Sequence, residues 1–305
     1  MLLVIIAVAS ITVRTLMEIR IDRTALLYVG VPTLIAMALL AVELPDSKKN
    51  WKYTYLNVAI KSLIVMLVSS ALLYEGFICV VMFMPIYFAV LLVVFIIHAL
   101  INFFENKKNH QGKNYVQILP VLLLLSAFEG VFPQFSFERE YEVTIDKVIH
   151  ASVDDIKAKM ATPFDLDVPR HWMLELFPMP YEIDAGSLNA GDIHTISFRY
   201  HRWFVTNTHE GDMKLQITDV NNEFVKARFI KDESYISNYL IMRGTEVHFK
   251  PLDENKTHVS LKIKYHRFLD PVWYFGPLLE FAMKHTGELF YSQIIAPDGV
   301  VVEAR

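Results

Sequence analysis

Continuous apolar runs fill the first 137 residues and give way, around "FPQFSFERE", to a strict alternation of apolar and polar positions. A helix that crosses a bilayer needs about 20 mostly apolar residues. Ala25–Leu44, Tyr55–Tyr74 and Phe77–Asn102 meet or approach that length, and Tyr115–Phe132, with "ILPVLLLLSAF", is a shorter fourth. The opening "MLLVIIAVASITV" runs only 13 residues before Arg14, as a fifth, short span or an interfacial helix. It lacks the basic start and small-residue cleavage site of a signal peptide. The pattern predicts an all-α membrane region over residues 1–137, with four or five transmembrane helices.

Beyond it the period falls to two. Tyr141, Val143 and Ile145 alternate with polar neighbours, as do Ile196, Phe198 and Tyr200, and Met213, Leu215 and Ile217. The same holds for Val225, Ala227 and Phe229, for Val247 and Phe249, and for Val259, Leu261, Ile263 and Tyr265. With Tyr181–Asp184 these predict about seven antiparallel strands at hairpin spacing, each with one apolar face. Ser152 with Asp155 three residues on is a capping-box pattern, and Val153, Ile156 and Met160 share the face of the short helix that follows. After Asp270-Pro271, Leu278, Phe281, Ala282, His285 and Leu289 recur at helical spacing as one long stripe. A curved antiparallel sheet can bury its apolar face by wrapping around that last helix, which predicts an α+β domain over residues 138–305.

Charge sharpens the division. Residues 1–137 hold 10 Lys/Arg against 7 Asp/Glu, and residues 138–305 hold 19 against 26, a net of −7. An acidic half without a basic stripe argues against nucleic acid as a partner. Cys79 is the lone cysteine, so neither a disulfide framework nor a Cys-x-x-Cys metal knuckle is available. "DSKKNWK" and "ENKKNHQGK" put six lysines on one side of the expected membrane. Positive-inside bias makes that side cytoplasmic, so the C-terminal domain lies on the extracytoplasmic side of a plasma (inner) membrane. Lys61, Glu75 and Glu129 fall close enough to an interface to snorkel.

The order of strand, short helices, meander and long C-terminal helix resembles the START-like superfamily (polyketide cyclase/dehydrase and lipid-transport proteins) with its helix-grip fold. "YEVTIDKVIHASVDDIKAKM", "AGDIHTISFRY", "VHFKPLDENKTHVSLKIKYHR" and "DPVWYFGPLLEFAMKHTGELF" carry the likeness, over roughly residues 139–295. The fused membrane region departs from the typical soluble member. The resemblance implies a pocket between the last helix and the concave face of the sheet, lined by Phe198, Tyr200, Phe229, Phe249, Tyr265, Phe281 and His285. Trp172, Leu176 and Phe177 in "RHWMLELFPMP" are candidates for a gate over its mouth, and Trp203 and Phe204 for a lid or a membrane contact. Aromatic residues on a buried face more often fill a solid core, and that alternative stays open.

No metal and no cofactor is expected: there is no His-Glu-x-x-His, His194 and His201 are seven apart on one strand and so on opposite faces, and phosphate-binding and dinucleotide fingerprints are missing. No catalytic residue is assigned. The expected function is a membrane-anchored binding or transfer protein for a lipid or other hydrophobic small molecule, with the lipid bilayer as a second partner. One alternative is a cyclase/hydrolase-type enzyme with His171, His201 or His285 as general base; another is a filled domain that docks a partner protein, whose identity the sequence does not give.

Overall fold

The computed structural model describes residues 23–35, 51–72, 77–105, 127–131, 137–166, 174, 177–203, 206–295 and 301–302. The chain forms two compact units, Met1–Phe137 with Leu269–Phe275, and Glu138–Phe268 with Gly276–Arg305.

In the first unit, helices α1 (Leu26–Ile35), α2 (Trp51–Leu72) and α3 (Phe77–Glu105) fall on three of the expected spans. Val29, Val58, Ile86, Tyr87, Val90, Leu91, Val94, Phe95 and Ala127 form their common core. Polar groups are turned inward: Thr54 and Ser62 of α2 are buried. The Tyr87 hydroxyl donates to Ser62 Oγ at 2.7 Å, and Thr33 Oγ1 donates to the Val29 carbonyl at 2.7 Å. Among the described residues, one helix, through Val80–Ile97, is long and apolar enough to cross a membrane. A bundle of four or five spans is therefore not established; α2 carries Lys52 and Lys61, α1 is short, and residues 1–22 and 106–126 lie outside the described set.

Residues 269–275 complete this unit. The Asp270 N–H donates to the Arg23 carbonyl at 2.9 Å, the Val272 N–H to Glu129 Oε1 at 2.9 Å, and the Tyr274 hydroxyl to the Met82 carbonyl at 2.6 Å. Phe275 is fully buried, its ring 4.7 Å from that of Tyr28 in an edge-on contact.

The second unit is one antiparallel sheet with helices against it. Its strands are β1 (Glu140–Ile149), β2 (Phe164–Asp165), β3 (Met179–Asp184), β4 (Ile193–Trp203), β5 (Thr206–Val220), β6 (Phe224–Asp232), β7 (Leu240–Asp253), β8 (Lys256–Arg267) and β9 (Val301–Val302). They stand in the order β2-β3-β4-β5-β6-β7-β8-β1-β9. Helix α4 (Val153–Met160) follows β1, and helix α5 (Val272–Phe290) follows β8. Neighbour-by-neighbour hairpins closed by the first strand, with a long final helix in the hollow, are the curved sheet around a helix that the alternation predicts and the helix-grip fold that the resemblance implies. Ser152 caps α4 as its spacing requires, its Oγ accepting the Asp155 N–H at 3.2 Å.

In β8 the alternation is unbroken: Thr257, Val259, Leu261, Ile263, Tyr265 and Arg267 are all buried, and the residues between them are not. Elsewhere bulges interrupt the pairing, at Lys214/Leu215 and Ile217/Asp219 against β6 and at Met242/Gly244 against β8. Each extra residue bends a strand and raises the local twist, which curls the sheet around α5.

The stripe by which α5 meets the sheet is Leu279, Ala282, Met283 and Leu289, packed with two apolar clusters on the concave face. Only Ala282 and Leu289 belong to the stripe expected from the sequence, so the helix is rotated from it. The closest approach is at Gly287, where an added Cβ would stand 2.4 Å from Ile145 Cδ1 and 2.9 Å from Ile263 Cδ1. A count of apolar side chains gives a glycine no weight, although here it marks the centre of the contact.

The convex face is laced with ion pairs. Lys264 Nζ lies 2.5 Å from Glu246 Oε1, and His248 Nε2 lies 3.1 Å from the other oxygen. The Lys264 ammonium holds the Glu246 carboxyl down at about 2, against an ordinary value of 4.5. A depressed carboxyl contributes stability above its unfolded value and loses it as pH falls through the folded one. Glu246→Gln is accordingly expected to cost about 1 kcal/mol at pH 7, the upper end for a partly exposed pair. The deficit should shrink between pH 4.5 and pH 2, as read from chemical denaturation at several pH values; a deficit that is constant with pH would exclude the ion pair as its source.

Candidate functional site: the concave face of the sheet

Residues paired directly across antiparallel strands share a face. The register therefore builds the concave surface row by row. Ile196 pairs with Met213, Phe198 with Gly211 and Tyr200 with His209 between β4 and β5. Leu215 pairs with Phe229 and Ile217 with Ala227 between β5 and β6. On the other side Val247 faces Leu261, Phe249 faces Val259, Met242 faces Tyr265, and Tyr265 faces Tyr141.

Two clusters result. One holds Val143, Ile145, Val247, Phe249, Val259, Leu261, Ile263 and Tyr265 with Leu279, Met283 and Tyr291. The other holds Ile183, Ile196, Phe198 and Met213 with Ala282 and Leu289, and Phe229 packs against it. Ile236 and Met242 touch both.

Polar atoms sit inside this surface. Tyr265 is 0% exposed, and its hydroxyl has no hydrogen-bond partner among the described residues. Its ring stacks on Tyr141 at 5.6 Å, and burial pushes its hydroxyl pKa upward. The Tyr291 hydroxyl is likewise buried without a partner among the described residues, with Lys147 Nζ 5.3 Å from the centre of its ring. Asp232 arrives by a different route. Val225, Ala227 and Phe229 alternate along β6, and the register shift then passes over Ile230. The shift leaves Lys231 opposite Lys214 on the outside and Asp232 opposite Met213 on the inside. Asp232 Oδ1 accepts from the Ser234 N–H at 2.9 Å and from Ser234 Oγ at 2.6 Å. Desolvation raises the carboxyl pKa more than the Ser234 bonds lower it.

One end of the hollow is roofed by residues 233–239, which include the turn Tyr235–Asn238. The Tyr235 ring stacks on Tyr200 at 4.9 Å and meets His209 at 5.6 Å and Tyr239 at 5.9 Å. The roof runs so close to β5 that a Cβ on Gly211 would stand 2.1 Å from the Glu233 carbonyl oxygen.

Of the residues expected to line a pocket, Phe198, Tyr200, Phe249 and Tyr265 are buried on the concave face, and Phe229 is partly buried beside them. Phe281 and His285 are brought together elsewhere. At 3.6 residues per turn they fall on the side of α5 opposite Leu279 and Met283. Phe281 is 36% exposed, the two rings are 4.0 Å apart, and His285 Nδ1 donates to the Phe281 carbonyl at 2.9 Å. Of the gate candidates, Trp172, Leu176 and Phe204 lie outside the described residues; Phe177 packs against the second cluster, and Trp203 pairs with Thr206 at the end of β4. His171 is also outside the described residues, and His201 is exposed, with Nδ1 2.9 Å from Thr208 Oγ1. His194 is buried and donates from Nε2 to the Ser187 carbonyl at 2.6 Å, a structural bond. No group of three metal-ligating side chains occurs among the described residues.

No family model matches the chain, and no curated protein sequence does. Solved structures do match. Norcoclaurine synthase from Thalictrum flavum, in complex with dopamine and hydroxybenzaldehyde, is 17% identical, covering 50% of this chain and 87% of that chain, with a TM-score of 0.29. The ZhuI aromatase/cyclase from Streptomyces sp. R1128 is 12% identical over 53% of this chain and 99% of that one, with a TM-score of 0.30. Major latex-like protein 151 from Panax ginseng is 13% identical over 50% and 98%, with a TM-score of 0.27. Likeness at this level says nothing of ligand or reaction.

Proposed function

We propose that this chain is a membrane-anchored protein that binds or transfers a lipid or another apolar small molecule in the hollow between the sheet and α5. The observation that carries the reading is the Tyr265 hydroxyl, fully buried in an apolar surface with no partner among the described residues. Leaving such a group unsatisfied costs about 1–3 kcal/mol, which a guest with one hydrogen-bonding group returns while its apolar body gains about 25 cal/mol for each Å² it buries.

Anchoring is supported by the inside-out character of the first unit. Helix α2 buries Thr54, Val58 and Ser62 and exposes Tyr53, Leu56, Ile60, Ile64 and Val68 along one flank. Water favours the reverse; hydrocarbon favours polar groups that are satisfied internally and an apolar exterior. With the lysine loops cytoplasmic, the binding domain stands on the extracytoplasmic side.

The test is native mass spectrometry of the full chain released from membranes in mild detergent, followed by titration of a fluorescent fatty alcohol. A co-purifying lipid-sized adduct is expected. Tyr265→Phe should weaken probe binding about tenfold, the worth of one hydrogen bond to a buried group, without lowering the melting temperature of the empty protein. If no adduct and no probe binding is found, or if the chain is washed from membranes by alkaline carbonate, the corresponding half of the proposal falls.

A further inference from the structure

The guest's polar end is specified by Asp232, and we infer that it is an amine: the hollow takes an apolar molecule that carries a protonated primary or secondary amine. This rests on the reading of the concave face as a binding site and adds the chemical class of its occupant.

Three observations carry the inference. The bulge at Ile230 turns Asp232 to the inside, beside Met213 of the second cluster, where plain alternation would have placed a lysine. Its two oxygens are differently supplied. Oδ1 takes both hydrogen bonds from Ser234, whereas Oδ2 is buried with no partner among the described residues. Ser234, itself 2% exposed, holds the carboxyl in one orientation, so the second oxygen is fixed in place. A carboxylate oxygen accepts hydrogen bonds and does not donate them, so the complementary group is a donor. Among donors a cation is preferred, because it restores the ionised carboxylate that burial disfavours and forms a charge-assisted bond roughly twice as strong as a neutral one.

The third observation is long-range. Residues 138–305 carry a net charge of −7, which draws cationic amphiphiles toward the domain and repels fatty carboxylates. The Tyr265 hydroxyl does not decide between amine, alcohol and acid, since it both donates and accepts. The discrimination falls to Asp232.

The experiment compares three probes of one chain length, decylamine, decanol and decanoate, on the full chain in phosphatidylcholine nanodiscs by isothermal titration. The unmodified protein is expected to bind decylamine at least tenfold more tightly than decanol, with decanoate weakest. Asp232→Asn keeps an oxygen for the two Ser234 bonds and removes the charge; it should bring decylamine to the level of decanol and leave decanol unchanged. The ranking in the unmodified protein stands by itself should the variant fold poorly. Equal affinities for the three probes, or an amine preference that survives Asp232→Asn, would overturn the inference while leaving an apolar site in place. Absence of binding by all three overturns both.

Discussion

Gly211→Val is expected to destabilise the second unit by about 3 kcal/mol, at the upper end of what forced overpacking costs. At Gly211 the obstacle to a Cβ is backbone, with the Glu233 carbonyl oxygen 2.1 Å and its carbon 2.8 Å away. A flexible side chain can swing aside, but a carbonyl held in the roof over β5 cannot move without the roof. The roof is fastened on both flanks, by the Glu233 N–H to the Asp212 carbonyl at 2.9 Å and by the Phe268 N–H to the Tyr239 carbonyl at 3.0 Å. Thermal unfolding of the full chain should show a midpoint lower by on the order of 10 °C. Loosening the Tyr235–Tyr200 stack should also bare the end of the hollow, read as faster quenching of tyrosine fluorescence by acrylamide. An unchanged midpoint would mean that residues 233–239 do not lie across β5.

The second large effect is expected at Gly287, where the obstacles are the tips of Ile145 and Ile263. Here the sign depends on the size of the substituent. Gly287→Ala gains helix propensity worth about 1 kcal/mol and must displace the Cδ1 methyls of Ile145 and, by less, Ile263, so it is expected to be near neutral. Gly287→Phe cannot be accommodated by rotamer changes alone; it lifts α5 from β1 and β8 at a cost of about 2–3 kcal/mol. Ile145→Val removes the nearer of the two Cδ1 atoms that an alanine would strike. The double substitution Ile145→Val with Gly287→Ala is therefore expected to be more stable than the sum of the two single changes, by a coupling of about 0.5–1 kcal/mol measured in a double-mutant cycle. Strict additivity would show that the helix does not rest on that isoleucine.

Much of the second unit was legible from period alone. Val259 to Tyr265 and Tyr141 to Ile145 alternate in the sequence as they do in the sheet, because β8 and β1 pair without a bulge. Strands β5 and β7 extend well beyond the apolar stretches 213–217 and 247–249, since hydrogen bonding between strands continues through residues whose side chains face water. The bulges were not legible. Ile230 is apolar and yet 44% exposed, and nothing in its identity announces a skipped position. Asp232, read by simple alternation, belongs on the outer face, so the period of β6 does not reveal the carboxyl on its inner surface. Tyr235 and Tyr239 are hidden for a similar reason: they lie in a polar turn, "DESYISNY", where the Tyr235 ring is recruited by Tyr200 and His209 across the sheet and the Tyr239 ring meets that of Tyr235. For α5 the apolar count found a helix and misplaced its inner side, since close approach there is achieved by the lack of a side chain. In the first unit hydropathy located α2 and α3, of which only the helix through Val80–Ile97 is, among the described residues, long and apolar enough to cross a membrane.

The seven residues 269–275 have a practical bearing on how this protein can be divided. Sequence order would assign them to the C-terminal half, yet they pack with Tyr28, Met82 and Glu129. A fragment cut at residue 137 would keep Tyr274 and Phe275 but lose the surfaces that cover them, and α5 would begin with bare aromatic rings and an uncapped Val272 N–H. Such a piece would be prone to self-association for reasons unrelated to its sheet. Joining it to a different N-terminal unit would require replacing those seven residues along with the first 137.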